Sequence, residues 1–342
     1  MEKIRLGKTN LMVSKLGFGG IPIQRDSEDE AVTVVKRCME LGINYIDTAN
    51  AYTTSEEHIG KAISGQRDAV ILATKSRGRT REELESHLQL SLKRLQVDFI
   101  DLYQFHNVSD LNTLDVILDP KGPMAVLENA KKQGKIKHIG ITSHQIDTAK
   151  EAIKTDRFET LMFAFNFIAC EPATELLPLA REHDVGFIAM KPLAGGRLEN
   201  VKLAFKYLYQ FPDVFPIPGI QKVQEIEEIV SLLDEPLALN EAEQNEIQHL
   251  RQELGNRFCR NCDYCQPCTA EIPISMVLFA PNIIKDVKRE GLFGGMLAEL
   301  MEKPSACTDC GECEERCPYE LPIRELMSEV VNLYEAEKRK YQ

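Results

Sequence analysis

This 342-residue chain predicts a (β/α)₈ TIM barrel followed by a small, mostly helical, cysteine-rich domain. Three observations carry that expectation. Eight short apolar runs alternate with longer amphipathic ones between about residues 16 and 234. No GxGxxG follows the first run, so the usual signature of a doubly wound dinucleotide-binding sheet is missing. The composition changes at Gly255, beyond which cysteine, proline and glycine dominate. The expected domains are therefore a barrel over 1–254 and a second domain over 255–342. The alternation alone also fits an open doubly wound sheet, but eight units without the fingerprint favour the barrel.

The strand candidates, in order, are LGFGG (16–20), NYIDTA (44–49), AVILATK (69–75), FIDLYQFH (99–106), KHIGITS (137–143), LMFAFNFI (161–168), VGFIAMKPL (185–193) and VFPIPGI (214–220). Such runs suit parallel strands buried on both faces. Between them lie stretches such as EDEAVTVVKRCMELG and REELESHLQLSLKRLQ, with apolar residues at helical spacing. Several open on acidic or capping residues and close near glycine, as in MELG and KKQG. The segment 222–234 completes the eighth unit, and 240–254 predicts a helix leading out of the barrel. Further helical pieces are expected at 274–286 and 292–302, and EAEKRKYQ is expected to be a solvated helix end.

A hydrophobic content of 43% allows a full core without cross-links. The net charge of −12 argues against nucleic acid as a partner, since that needs a basic surface. No run of about 18 apolar residues predicts a membrane span. The opening MEKIRLGKTN lacks the apolar stretch of a secretory signal, so a cytoplasmic location is expected.

In a parallel barrel the chemistry gathers at the carboxyl ends of the strands. Asp47 lies near the end of the second strand candidate, Tyr52 in the loop after it, and Lys75 and His106 close the third and fourth. Each alone reads as a cap, a core ring or a solvated charge. Together they make a proton-transfer set. Tyr52 would donate a proton to a carbonyl oxygen, Lys75 would lower the phenol pKa from about 10, Asp47 would hold Lys75, and His106 would orient the substrate. General acid catalysis of this kind is worth about 10²–10⁴-fold.

The segments GINYIDTANAY (42–52), ILATKS (71–76) and DLYQFHN (101–107) resemble the catalytic segments of the aldo-keto reductase family. LGKTNLMVSKLGFGG, GFIAMKPLAGG and PIPGI resemble it in the same order, over about residues 3–235. The resemblance implies a TIM barrel that reduces a small-molecule aldehyde or ketone by hydride transfer from NADPH or NADH. It places the catalytic tetrad on Asp47, Tyr52, Lys75 and His106. The implied nucleotide-binding positions are Gly19, Gly20, Ile21 and Asp47 early in the chain, then Ser143, His144, Asn166, Met190, Pro192 and Leu193. Ile217, Pro218, Gly219, Gln221 and Lys222 complete them. The chain departs from the family pattern at four places. His144 stands where an Asn is usual, Met162 where a Gln is, Met190 where an aromatic ring often stacks, and Glu225 where an Arg often meets the adenosine phosphate. The last leaves both NADPH and NADH as candidate cofactors.

Eight of the ten cysteines lie in two runs, Cys259, Cys262, Cys265 and Cys268, then Cys307, Cys310, Cys313 and Cys317. The second run has C-x₂-C-x₂-C-x₃-C-P spacing, the bacterial ferredoxin arrangement for [4Fe–4S] ligation. The first is one residue shorter before its last cysteine and lacks the proline. Zinc is the alternative, since paired C-x₂-C units also make tetrahedral structural sites. Both runs resemble the C-terminal ferredoxin-type extension of an iron–sulfur branch of the aldo-keto reductases. That implies a ferredoxin-like domain with two [4Fe–4S] clusters, one on Cys259, Cys262, Cys265 and Cys317, the other on Cys268, Cys307, Cys310 and Cys313. Cys38 and Cys170 read as core residues.

A nicotinamide moves two electrons as a hydride and a [4Fe–4S] cluster moves one, and no flavin motif bridges them. The leading expectation is a carbonyl reductase carrying clusters that are structural or serve an electron-transfer protein partner. Two other readings stay open: an electron-transfer protein in which the clusters are primary, and a nucleotide-loaded redox sensor.

Overall fold

Each of the eight apolar runs forms a strand, and all eight pair in parallel, in sequence order, in one sheet. The computed structural model describes residues 1–260, 264–284 and 287–342. A short antiparallel hairpin of β1 (Lys3–Arg5) and β2 (Met12–Ser14) comes first. The sheet then runs through β3 (Phe18–Gly19), β4 (Tyr45–Asp47), β5 (Ile71–Ser76) and β6 (Ile100–Phe105). It continues with β7 (Ile136–Ser143), β8 (Thr160–Ala164), β9 (Gly186–Met190) and β10 (Val214–Ile217). The doubly wound alternative is thereby set aside, because β3 also meets β10. Gly17 donates to the Pro216 carbonyl at 3.0 Å and Gly19 to that of Pro218 at 2.8 Å. A parallel bridge joins Gly19 to Gly219.

Glycine is required at that seam. A Cβ on Gly19 would stand 2.7 Å from the Pro218 carbonyl oxygen, and one on Gly20 would stand 2.8 Å from that of Asp47. Both contacts are with backbone, which cannot swing aside.

The barrel interior follows from strand alternation. Tyr45, Ala73, Leu102, Met162, Ile188, Phe215 and Ile217 pack together inside it, with Leu6 and Val13 from the hairpin segment. The hairpin lies outside the strand–helix alternation that the sequence displays. It is held by fit: Gly186 leaves room for Leu6, whose Cγ would lie 2.8 Å from a Cβ there. Helices between the strands start where capping chemistry allows. Ser27 and Thr80 open the helices Glu28–Glu40 and Arg81–Leu95 with reciprocal bonds to Glu30 and Glu83.

Two compact units divide the chain, Met1–Asn240 and Glu241–Gln342, so the helix Glu241–Leu254 groups with the second unit. Every regular element described in that unit is helical. Its core holds Ile274, Val277, Leu278, Ile284 and Leu292 against the last helix, Ile323–Arg339. That helix buries Ile323, Leu326, Met327, Val330 and Tyr334, one apolar stripe at helical spacing, and runs well before the expected solvated end. The helical segments expected at 274–286 and 292–302 each break in two, at Ala280 and Gly294. Among the described residues no helix is long and apolar enough to cross a membrane.

Gly19→Ala is expected to destabilise the protein by about 1–3 kcal/mol, as overpacking does. Urea unfolding checks it, and wild-type stability in the variant would mean that the seam between β3 and β10 can open freely.

Candidate functional site

The inward faces of β4, β5 and β6 turn polar one step beyond the apolar core. Two residues after Tyr45 comes Asp47, after Ala73 comes Lys75, and after Leu102 comes Gln104, with His106 beyond it. Register places Lys75 directly beside Gln104. Lys75 Nζ donates to Asp47 Oδ1, and also to the Thr48 carbonyl at 2.8 Å. Gln104 Nε2 donates to the other Asp47 oxygen at 3.2 Å. All three side chains are buried. Tyr52 stands in the tight turn after β4, its amide bonded to Ala49 and its carbonyl to Ser55. Lys75 Nζ lies 5.2 Å from the Tyr52 ring centre, and the ring meets His106 edge-on at 5.8 Å. The four residues singled out by sequence thus converge.

Burial raises the Tyr52 phenol pKa, Lys75 pulls it back and Asp47 pushes it further, and the balance lies above the ordinary value. The expectation that Lys75 would bring it below that value is corrected: desolvation is the larger effect. Burial also opposes the Lys75 charge, but Asp47 and Tyr52 hold the ammonium above its usual range. His106 is pushed well below the usual imidazole range, by burial first and then by Lys75, Arg77, His144 and Arg79. It is a neutral ring at neutral pH, and its Nδ1 is buried with no hydrogen-bond partner among the described residues.

Two neighbours escaped the sequence reading. Arg79 donates to the carbonyls of His106 at 2.7 Å and Asn107 at 3.0 Å, fixing the end of β6. Gln104 lies on the inward face of β6, two residues after Leu102.

The expected nucleotide positions lie around the same strand ends, and several are already committed to the loops. Ser143 Oγ donates to the Val108 carbonyl at 2.8 Å and accepts from the Gln145 amide at 3.0 Å. Asn166 accepts from the amides of Ile168 and Ala169, both at 2.9 Å, and donates to the Lys191 carbonyl at 3.0 Å. His144 differs. Its Nδ1 meets Asn107 Oδ1 at 3.1 Å, while Nε2 is buried and without a partner among the described residues. Met190 ends β9 and packs on the barrel core, Pro192 and Leu193 begin the turn after it, and Ile21 is exposed. Ile217 ends β10, with Pro218 and Gly219 at the seam. Beyond it, Glu225 accepts from the amides of Gln221 at 2.7 Å and Lys222 at 2.9 Å, so a carboxylate caps the helix Val223–Ser231.

In the second unit, Cys268, Cys307, Cys310 and Cys313 line one cavity, with Gly311, Arg316 and Arg324. Cys265 and Cys317 belong to the helical core and Cys259 packs against it. Cys262 lies outside the described residues. Among the described residues no three His, Cys, Asp or Glu side chains converge on a point that would hold a single ion. Cys38 is buried, its thiol pKa pushed up to about 12, and Cys170 is partly exposed.

The aldo/keto reductase family model matches residues 15–203. The chain belongs to the aldo/keto reductase family. Its relatives include the uncharacterized oxidoreductase YqkF of Bacillus subtilis, 32% identical over 217 residues, which span 59% of this chain and 68% of YqkF. The L-galactose dehydrogenase of Arabidopsis thaliana is 32% identical over 218 residues, 58% of this chain and 67% of its own. Among solved structures, aldo-keto reductase AKR11C1 from Bacillus halodurans in its holo form superposes with a TM-score of 0.63 at 28% identity. That match covers 73% of this chain and 96% of AKR11C1. An aldo-keto reductase from Klebsiella pneumoniae in complex with NADPH shares the fold, with a TM-score of 0.64 at 22% identity over 73% and 95% of the two chains. This aldo/keto reductase is therefore an oxidoreductase enzyme with the family's barrel.

The depressed pKa of His106 makes stability depend on pH. The unfolded chain takes up a proton near pH 6.5 that the native ring refuses, so stability is full above that pH and falls as pH drops toward the native pKa. The expected slope is about 1.4 kcal/mol per pH unit for this one histidine. Urea midpoints measured at pH 7.5, 6.0 and 5.0 check it. His106→Gln should lower the slope by about that amount and leave the share of His144, which is also held well below the usual range. An unchanged slope in that variant would disprove the assignment.

Proposed function

We propose that this enzyme reduces an aldehyde or ketone with NADPH or NADH, and that Tyr52 is the proton donor. One observation carries the reading: Tyr52, Lys75, Asp47 and His106 meet at the carboxyl end of a family barrel, with a neutral imidazole and a protonated phenol on either side of the space a carbonyl would enter.

A reduced nicotinamide bound there would supply a hydride to the carbonyl carbon. Tyr52, kept protonated at neutral pH, gives its hydroxyl proton to the carbonyl oxygen, and the alcohol forms. Lys75 stabilises the phenolate left behind until solvent restores the proton. Asp47 and the Thr48 carbonyl keep the ammonium in place through this cycle. His106 donates a hydrogen bond to the substrate oxygen and sets its orientation.

A nicotinamide nucleotide would lie across β7 to β10 and the β3 seam, where His144 Nε2 is a buried polar atom without a partner among the described residues. Ser143 and Asn166 would act there mainly by holding loops. Glu225 on the helix terminus favours a nucleotide without an extra phosphate, so NADH stands beside NADPH in this reading.

The same proposal gives the second unit two [4Fe–4S] clusters in a ferredoxin-like role, as structural groups or as a link to an electron-transfer protein. Cys268, Cys307, Cys310 and Cys313 would hold one, and Cys259, Cys262, Cys265 and Cys317 the other. The first set rests on a shared cavity, since a cubane binds each thiolate to its own iron and its ligands ring a space. Bound clusters would exchange single electrons.

Two outcomes follow. Tyr52→Phe should lower kcat for an aldehyde panel by about 10²–10⁴-fold while nucleotide binding, followed by fluorescence, is retained; full activity in the variant would refute the donor role. Protein purified without oxygen should carry about eight irons per chain, and Cys313→Ser should lose iron from one cluster. Zinc in place of iron would retire the ferredoxin reading.

A further inference from the structure

The rim beside His106 carries more positive charge than proton transfer requires. Arg77 follows β5 directly, is exposed, and makes no hydrogen bond or ion pair among the described residues. Its neighbour Ser76 accepts from the His106 amide at 2.8 Å, so Arg77 starts where the strand meets that ring. Arg79 grips the carbonyls of His106 and Asn107, and His144 bonds the Asn107 side chain. Lys75 lies just below. The charge of Arg77 reaches Tyr52, His106 and His144, since it helps to hold the pKa of each down.

The carboxylates nearby are engaged by other partners than Arg77. Asp47 serves Lys75 and Gln104. Asp110 caps a helix, accepting from the Thr113 amide at 2.7 Å and its hydroxyl at 2.8 Å, and from the Ser109 hydroxyl at 3.1 Å. Glu83 accepts from the amides of Arg79 at 2.9 Å and Thr80 at 3.1 Å. Arg77 is thus a rim cation with no ion pair of its own among the described residues. The barrel order also sets β5 four strands from β9 in either direction. Arg77 therefore starts across the mouth from Met190.

We propose that Arg77 binds the carboxylate of an anionic carbonyl substrate, an aldehyde or ketone that carries an acid group at its far end. An unpaired guanidinium offers the planar fork that a carboxylate fits in bidentate fashion. This substrate class rests on the reductase reading above, and the experiment separates the two.

The test is steady-state kinetics at saturating nucleotide on 4-formylbenzoate and its methyl ester, with wild type, Arg77→Gln and Arg77→Lys. Wild type should show a KM for the acid about tenfold or more below that for the ester, the size of one charge-assisted contact. Arg77→Gln should erase that difference by raising the KM for the acid while kcat changes little, and Arg77→Lys should restore part of it. Equal KM values for both aldehydes in wild type would overturn the proposal. So would equal losses on both in Arg77→Gln, or a rise in nucleotide KM in place of aldehyde KM. Turnover of neither aldehyde by wild type would overturn the reductase reading and the substrate class with it.

Discussion

The ion pair between Lys75 and Asp47 is the constraint on which the rest of the barrel mouth depends. Both groups are buried, so each would be costly alone, and removing one partner of such a pair commonly costs about 3–5 kcal/mol. The pair exists because two strands run in one register with their inward faces aligned. A slip of one residue in β4 or β5 would send one charge outward and leave the other unpaired inside the barrel. Gln104 closes the arrangement from β6 by binding the second Asp47 oxygen. Three consecutive strands are thus locked by polar contacts at their carboxyl ends, above the packed barrel core.

The seam of the barrel serves the same level. The Gly20 amide bonds the Asp47 carbonyl at 2.8 Å, and the Ser55 hydroxyl reaches both Thr48 and the Gly20 carbonyl, each at 2.8 Å. The turn that carries Tyr52 is pinned at both ends by these bonds. Closing the barrel and aiming Tyr52 are consequently one structural event. A residue larger than glycine at 19 or 20 would disturb the phenol without touching it.

Much of this was legible in the sequence, for a physical reason. Strands buried on both faces must be apolar along their length, and those runs stand out between amphipathic helices. Asp47, Lys75 and His106 stand out because each interrupts or ends such a run, and Tyr52 because it follows one closely. What could not be read depends on tertiary fit. The hairpin Lys3–Ser14 has no strand pattern of its own and is held by Leu6 meeting Gly186. Ser143 and Asn166 offer hydroxyl and amide groups whose partners are chosen by loop paths that no spacing encodes. The direction of the Tyr52 shift was misjudged because a nearby ammonium is visible in sequence and the depth of burial is not.

The cysteine-rich unit shows the opposite balance. Its cysteine spacing raises a chemical expectation, while its architecture comes from the helices between and after the two runs. The last helix lays Ile323, Leu326, Met327, Val330 and Tyr334 against the segment between them, and the Tyr334 hydroxyl bonds the Leu292 carbonyl. That core brings Cys268 of the first run to the same cavity as Cys307, Cys310 and Cys313 of the second. Exchange of one cysteine between runs is what C-x₂-C-x₂-C-x₃-C spacing requires when two clusters share a domain, since the fourth thiolate reaches the other cluster. A pair of independent zinc knots would need no such exchange and would keep each run to itself. In the proposed cluster reading, Cys268 crosses to the second run as the fourth ligand of its cluster.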